Sequence, residues 1–137
     1  MLKRTLASIL LTSAVSVSAL AEVAVIVHPG NSAAIDADAV ERIFLGKKSQ
    51  FPDGSEALPI NIESGGAVDE FNNKVLGRST AQVKSFWSKQ IFTGKGTPPK
   101  EVASDASVID LVKNNKNAIG YVDAANVTGD VKVVFTK

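Results

Sequence analysis

Residues 23–27 read VAVIV, an unbroken apolar run in which four of the five side chains are β-branched. A strand with one wet face would alternate apolar and polar residues. A continuous run instead belongs to a strand covered on both faces. Such a chain must therefore supply helices for both sides of a sheet, and the rest of the sequence can be read for them.

The helices are legible from spacing and punctuation. Asp36 can cap a short helix that places Ala37, Val40, Ile43 and Phe44 on one side, stopped at Gly46. LPINI (58–62) is a second strand, with Pro59 tolerable at its start or at a sheet edge. Val68, Phe71, Val75 and Leu76 then follow helical spacing up to Gly77. Ser79 with Gln82 is a capping-box pair, opening a helix whose stripe is Val83, Phe86, Trp87 and Ile91 and which closes at Gly94. GKGTPPK (94–100) reads as a loop, since Pro98 and Pro99 block helix continuation. Ser104 or Asp105 begins a fourth helix, with Val108, Leu111 and Val112 inward. AIGYV (118–122) and VKVVF (131–135) close the chain as strands.

The predicted order is β-α-β-α-α-α-β-β: an α/β fold with a small, mostly parallel sheet flanked by about four helices. The parallel character is inferred from connections long enough for crossovers. IFLGK (43–47) and IFTGK (91–95) repeat one pattern, which is explained by a shared helix ending of two inward apolar residues, a glycine and a base.

The first twenty-one residues read as a signal peptide. Lys3 and Arg4 precede an apolar stretch, Leu6 to Val17, and Ala19-Leu20-Ala21 fits a cleavage site. Residues 22–137 are then expected to be one exported, periplasmic domain without a membrane span. There is no cysteine, so thiol chemistry, disulfides and cysteine-ligated metals are excluded. Without Lys3 and Arg4 the chain has 13 bases against 14 acids. That balance argues against nucleic acid or an anionic membrane surface as partner.

No catalytic constellation emerges: the lone His28 has no defined partner, no hydrolase or zinc motif occurs, and no metal or cofactor is implied. The chain is read as a non-enzyme. The candidate binding feature is ESGGAVDEF (63–71), a glycine pair between a strand and a helix. Helix starts expose unpaired amides and a positive dipole end, so Ser64, Gly65, Gly66 and the Ala67 amide can cradle an oxyanion. The same loop also fits a structural turn, because Glu63, Asp69 and Glu70 can satisfy the dipole themselves.

Four segments together resemble the phosphate-binding proteins of ABC transporters, of the type II periplasmic binding protein superfamily: AVERIFLGKKSQFPDG, LPINIESGGAVDEF, FWSKQIFTGKGTPP and NAIGYVDAANV. The resemblance spans residues 22–137 and implies one lobe of a fold that elsewhere has two. It places Phe51 where the family carries a tryptophan, Gly65-Gly66-Ala67 where it carries Ser-Gly-Thr, and Asn61 where it carries a phosphate-clasping arginine. Ser64 is the one hydroxyl left to replace those lost. The implied ligand is phosphate or a similar oxyanion, held by Asn61, Ser64, Gly65, Gly66 and Ala67. The implied partners are an ABC permease or another envelope protein, or a second copy in a homodimer. The alternative is an envelope scaffold module that has lost ligand binding. Lys47, Lys48 and Lys95 are read as solvated rather than folded against the glycine loop to offset Glu63.

Overall fold

The computed structural model describes residues 22–137, so the predicted signal peptide lies outside the described residues. Strand β1 (Val23–Val27) is buried at all five positions, as its composition requires. Next come α1 (Ala37–Phe44), β2 (Leu58–Ile62) and α2 (Gly66–Phe71), the last continued by a π-helical turn over Asn72–Leu76. Then follow α3 (Thr80–Phe92), β3 (Lys100–Val102), α4 (Asp105–Asn114), β4 (Ala118–Asp123), a 3₁₀ turn at Ala124–Asn126, and β5 (Lys132–Thr136). Among the described residues no helix is long and apolar enough to cross a membrane.

The five strands lie in the order β3-β2-β4-β1-β5. β2 is parallel to both β3 and β4, whereas β1 is antiparallel to both β4 and β5. The expectation of a mostly parallel sheet therefore holds for one half only. Long connections permit a crossover but do not dictate which strand the chain returns to, and β1 sits between β4 and β5 as their shared antiparallel neighbour. The 94–100 segment, read as a loop, ends in the edge strand β3. This strand is three residues long and two of them are charged, a common form for an edge that must not recruit other chains.

Strand alternation assigns the helices to faces. Neighbouring residues of a strand point to opposite sides. At Gly120 an added Cβ would meet Val108 of α4, while the Tyr121 ring stacks on Phe71 of α2. The two helices thus cover opposite faces, and α1 joins the α2 side through Phe44, which lies edge-on to Phe71 at 4.8 Å. His28, the lone histidine, uses Nδ1 to accept the Gly30 amide at 2.9 Å and so belongs to a turn.

The caps form as the spacing predicts. Asp36 accepts from the Ala39 amide at 2.8 Å, and Ser104, rather than Asp105, caps α4. The capping box is complete: Ser79 Oγ accepts from the Gln82 amide at 3.1 Å, and Gln82 Oε1 accepts from the Ser79 amide at 2.8 Å. Ser79→Ala should cost about 1 kcal/mol of unfolding free energy by urea titration, since it removes one of these bonds.

The two halves of the repeat diverge. Gly46 and Gly94 both end their helices in the left-handed region, at φ 72° and 69°. Ile43 and Phe44 are buried as expected. Ile91 is 57 % exposed and Phe92 is 92 % exposed, so the apolar stripe of α3 stops at Trp87.

Candidate functional site

The glycine loop joins β2 to α2 at the carboxyl end of the sheet's parallel half, the usual position for ligands in open α/β sheets. Gly65 occupies φ +117°, a conformation open chiefly to glycine. It is the N-cap of α2 and offers no side-chain bond to the helix start. The α1, α3 and α4 starts, by contrast, are each closed by a side-chain oxygen.

That open start borders a cleft of about 860 Å³. Ser64, Gly65, Gly66 and Ala67 line one wall; Ser104, Asp105, Asp110 and Lys113 of the α4 region line another; Asp123, Asn126, Thr128 and Asp130 close the third. An added Cβ at either Gly65 or Gly66 would meet no atom within 4 Å, so the approach to their backbone is unobstructed.

The acids that sequence placed beside this loop are turned elsewhere. Asp69 accepts from the Thr80 hydroxyl at 2.5 Å, and Glu70 pairs with Lys74 at 2.7 Å. Glu63 lines a different groove. The carboxylates that do face the cleft come from sequence far away. Asp105 accepts from the Asp123 amide at 3.0 Å and from Asn126 Nδ2 at 2.8 Å, fastening the turn after β4 to the start of α4. Lys113 is the cation among the lining residues, and it stands 3.8 Å from Asp110. Lys47, Lys48 and Lys95 do not line the cleft.

Asn61 is not part of this wall. It lines the groove on the opposite side of β2, with Glu63, while Ile62 and Ser64 line the cleft. The period of two along an extended chain produces that division. Asn61 Oδ1 instead accepts from the Tyr121 hydroxyl, whose oxygen accepts from the Ile62 amide at 3.3 Å. Burial pushes the Tyr121 phenol above its ordinary pKa, so it stays a neutral donor. Asn61 therefore ties β2 to β4 below the loop and contributes no donor beside Gly65 and Gly66. Sequence reasoning missed Asp105, Lys113, Asp123 and Asp130, since only the strand order brings α4 and the turn after β4 to the glycine loop. The polar turn after IGYV was the one local sign.

No family model matches the chain, and no curated protein does. Solved structures do match. One, from Clostridium perfringens, is described as a phosphate ABC transporter substrate-binding protein with bound phosphate; it shares 20% identity at a TM-score of 0.61, over 82% of this chain and 44% of that one. An ABC-type phosphate transport receptor from Vibrio cholerae matches at 17% identity and TM-score 0.61, over 82% and 46%. PstS from Borrelia burgdorferi matches at 15% identity and TM-score 0.59, over 82% and 47%. The chain thus has the fold of phosphate ABC transporter substrate-binding proteins, as its motifs implied. It spans less than half the length of the solved chains it matches. Identities this low carry fold and nothing finer.

Proposed function

We propose that the chain is an exported, periplasmic solute-binding module that takes phosphate or a similar small oxyanion on the amides at the start of α2. The observation that carries this reading is the uncapped helix start: Gly65 gives no cap, the first-turn acids are engaged elsewhere, and the unpaired end opens into the cleft. Amides there donate to an oxyanion, and the helix dipole favours its charge. Ser64 adds a hydroxyl.

The opposite wall refines the ligand. Carboxylates accept hydrogen bonds and repel a fully ionised guest. An oxyanion facing Asp105, Asp123 and Asp130 must therefore carry a proton of its own to donate. The site suits a monoanion bearing hydroxyl groups better than a dianion. A permease or other envelope protein would receive or present it. The alternative, an interaction module without a ligand, is favoured by the exposed Ile91 and Phe92.

Titration calorimetry with inorganic phosphate tests the first reading. Saturable heat is expected, stronger as the pH falls and the monoanion gains. Gly66→Leu should abolish that heat while leaving the melting temperature unchanged, because the new side chain enters open space. No saturable heat up to millimolar phosphate would reject the reading.

A further inference from the structure

The chain from Phe71 to Lys100 contains Lys74, Arg78, Lys84, Lys89, Lys95 and Lys100 and not one carboxylate. The whole-chain charge near zero hides this asymmetry, because the balancing acids gather elsewhere, several of them around the cleft. Among the described residues the ion pairs are Asp38–Arg42, Glu70–Lys74 and Asp110–Lys113, so the lysines at 84, 89, 95 and 100 enter none of them.

The exposed side of α3 is made of small residues and bases. Ala81, Lys84, Ser85, Ser88 and Lys89 all face solvent, and the helix ends in Ile91 and Phe92. A phenylalanine with 92 % of its surface in water, at a helix end, stays there only at a cost in hydration unless something covers it. Lys89 precedes this tip and Lys95 follows it, with Gly94 turning the chain between.

We propose that the C-terminal end of α3 is a peripheral docking site for an anionic phospholipid surface. Ile91 and Phe92 would enter the headgroup boundary while Lys84, Lys89 and Lys95 face lipid phosphates. The combination of an exposed apolar tip with Lys84, Lys89 and Lys95 beside it carries the inference; Glu63 and Glu101 share the groove that Lys84 and Ile91 line, whereas Lys89, Phe92 and Lys95 lie outside it. Interfacial helices bind by these two terms together. A two-fold dimer through this face would set lysine against lysine, which disfavours a second copy as the occupant. This runs against the expectation, drawn from net charge alone, that an anionic membrane surface is disfavoured as partner. It does not depend on what the cleft holds.

Vesicle co-sedimentation of residues 22–137 is the test, using phosphatidylcholine with and without one-third phosphatidylglycerol. Binding to the anionic vesicles at low salt, weakening as salt rises, is expected. Each lysine brought near such a surface is worth about fivefold in affinity. Lys84→Glu with Lys89→Glu should therefore weaken binding by more than about tenfold. Phe92→Ser should weaken it roughly tenfold by removing the inserted ring. Both variants alter exposed side chains and should melt with the parent. Gly66→Leu should bind vesicles unchanged, which separates this inference from the oxyanion reading. The proposal is overturned if anionic vesicles fail to bind at low salt, or if Phe92→Ser binds them as well as the parent. It is also overturned if the same variants abolish capture of an acidic envelope protein while no lipid binding is seen.

Discussion

Phe71→Ala should lower the unfolding free energy by about 3–5 kcal/mol, the usual cost of deleting a fully buried aromatic ring. Phe71 is 1 % exposed and lies at the meeting point of three elements. Its ring stacks on Tyr121 of β4 with centroids 3.9 Å apart and planes 5° from parallel, and Phe44 of α1 meets it edge-on. Each such pair adds about 0.5–1.5 kcal/mol beyond area burial, so the upper part of the range is expected. Partial collapse around the vacated ring would bring the loss toward the lower part. Chemical denaturation followed by circular dichroism measures it, and an unchanged m-value would show that the denatured state is not the cause. Phe71→Leu keeps most of the volume and should cost clearly less. A loss below about 1 kcal/mol for the alanine variant would mean that α2 is not anchored this way. The anchor matters for function because α2 carries the glycine loop at its other end.

Much of this arrangement was legible in the residues, and the division follows physical range. VAVIV, the Ser79–Gln82 box and the terminal glycines act within a few residues of themselves, and each appears where its spacing placed it. Strand β3 was invisible because three residues with two charges acquire strand geometry only by pairing with β2. IFLGK and IFTGK send the same local signal, yet Phe44 finds Phe71 and Tyr121 whereas Phe92 finds solvent. Local sequence sets how a helix ends; what covers that end depends on neighbours supplied from elsewhere. Asn61 illustrates a different gap. Counting back from Phe71 placed it at the family's arginine position, but one step along an extended chain turns a side chain to the other face. Net charge is a third case: a sum near zero conceals the basic stretch from Phe71 to Lys100 and the carboxylates that line the cleft.

The Ile-Gly-Tyr strand brings these threads to one place, and its glycine can be tested directly. Tyr121 faces α2 and holds Asn61; Gly120, one residue earlier, faces α4. An added Cβ at Gly120 would lie 2.5 Å from Val108 Cγ1 and 3.6 Å from Val112 Cγ2. Val108 is completely buried, and a β-branched side chain in a helix has essentially one rotamer, so the methyl cannot swing aside. Gly120→Ala should therefore cost about 1–3 kcal/mol through overpacking, although alanine suits a strand no worse than glycine does. Val108→Ala alone should also destabilise, by removing buried methyl groups. Combined, the two changes exchange a methyl across the contact, and the double variant should be more stable than the sum of the single losses by about 0.5–3 kcal/mol. Strict additivity would mean that α4 does not approach β4 through this glycine. Because Asp105 and Lys113 ride on α4, a helix displaced by Gly120→Ala also moves one wall of the cleft away from the glycine loop. The restored fit in the double variant should return that wall to its place, which links the spacing of one strand glycine to the width of the candidate site.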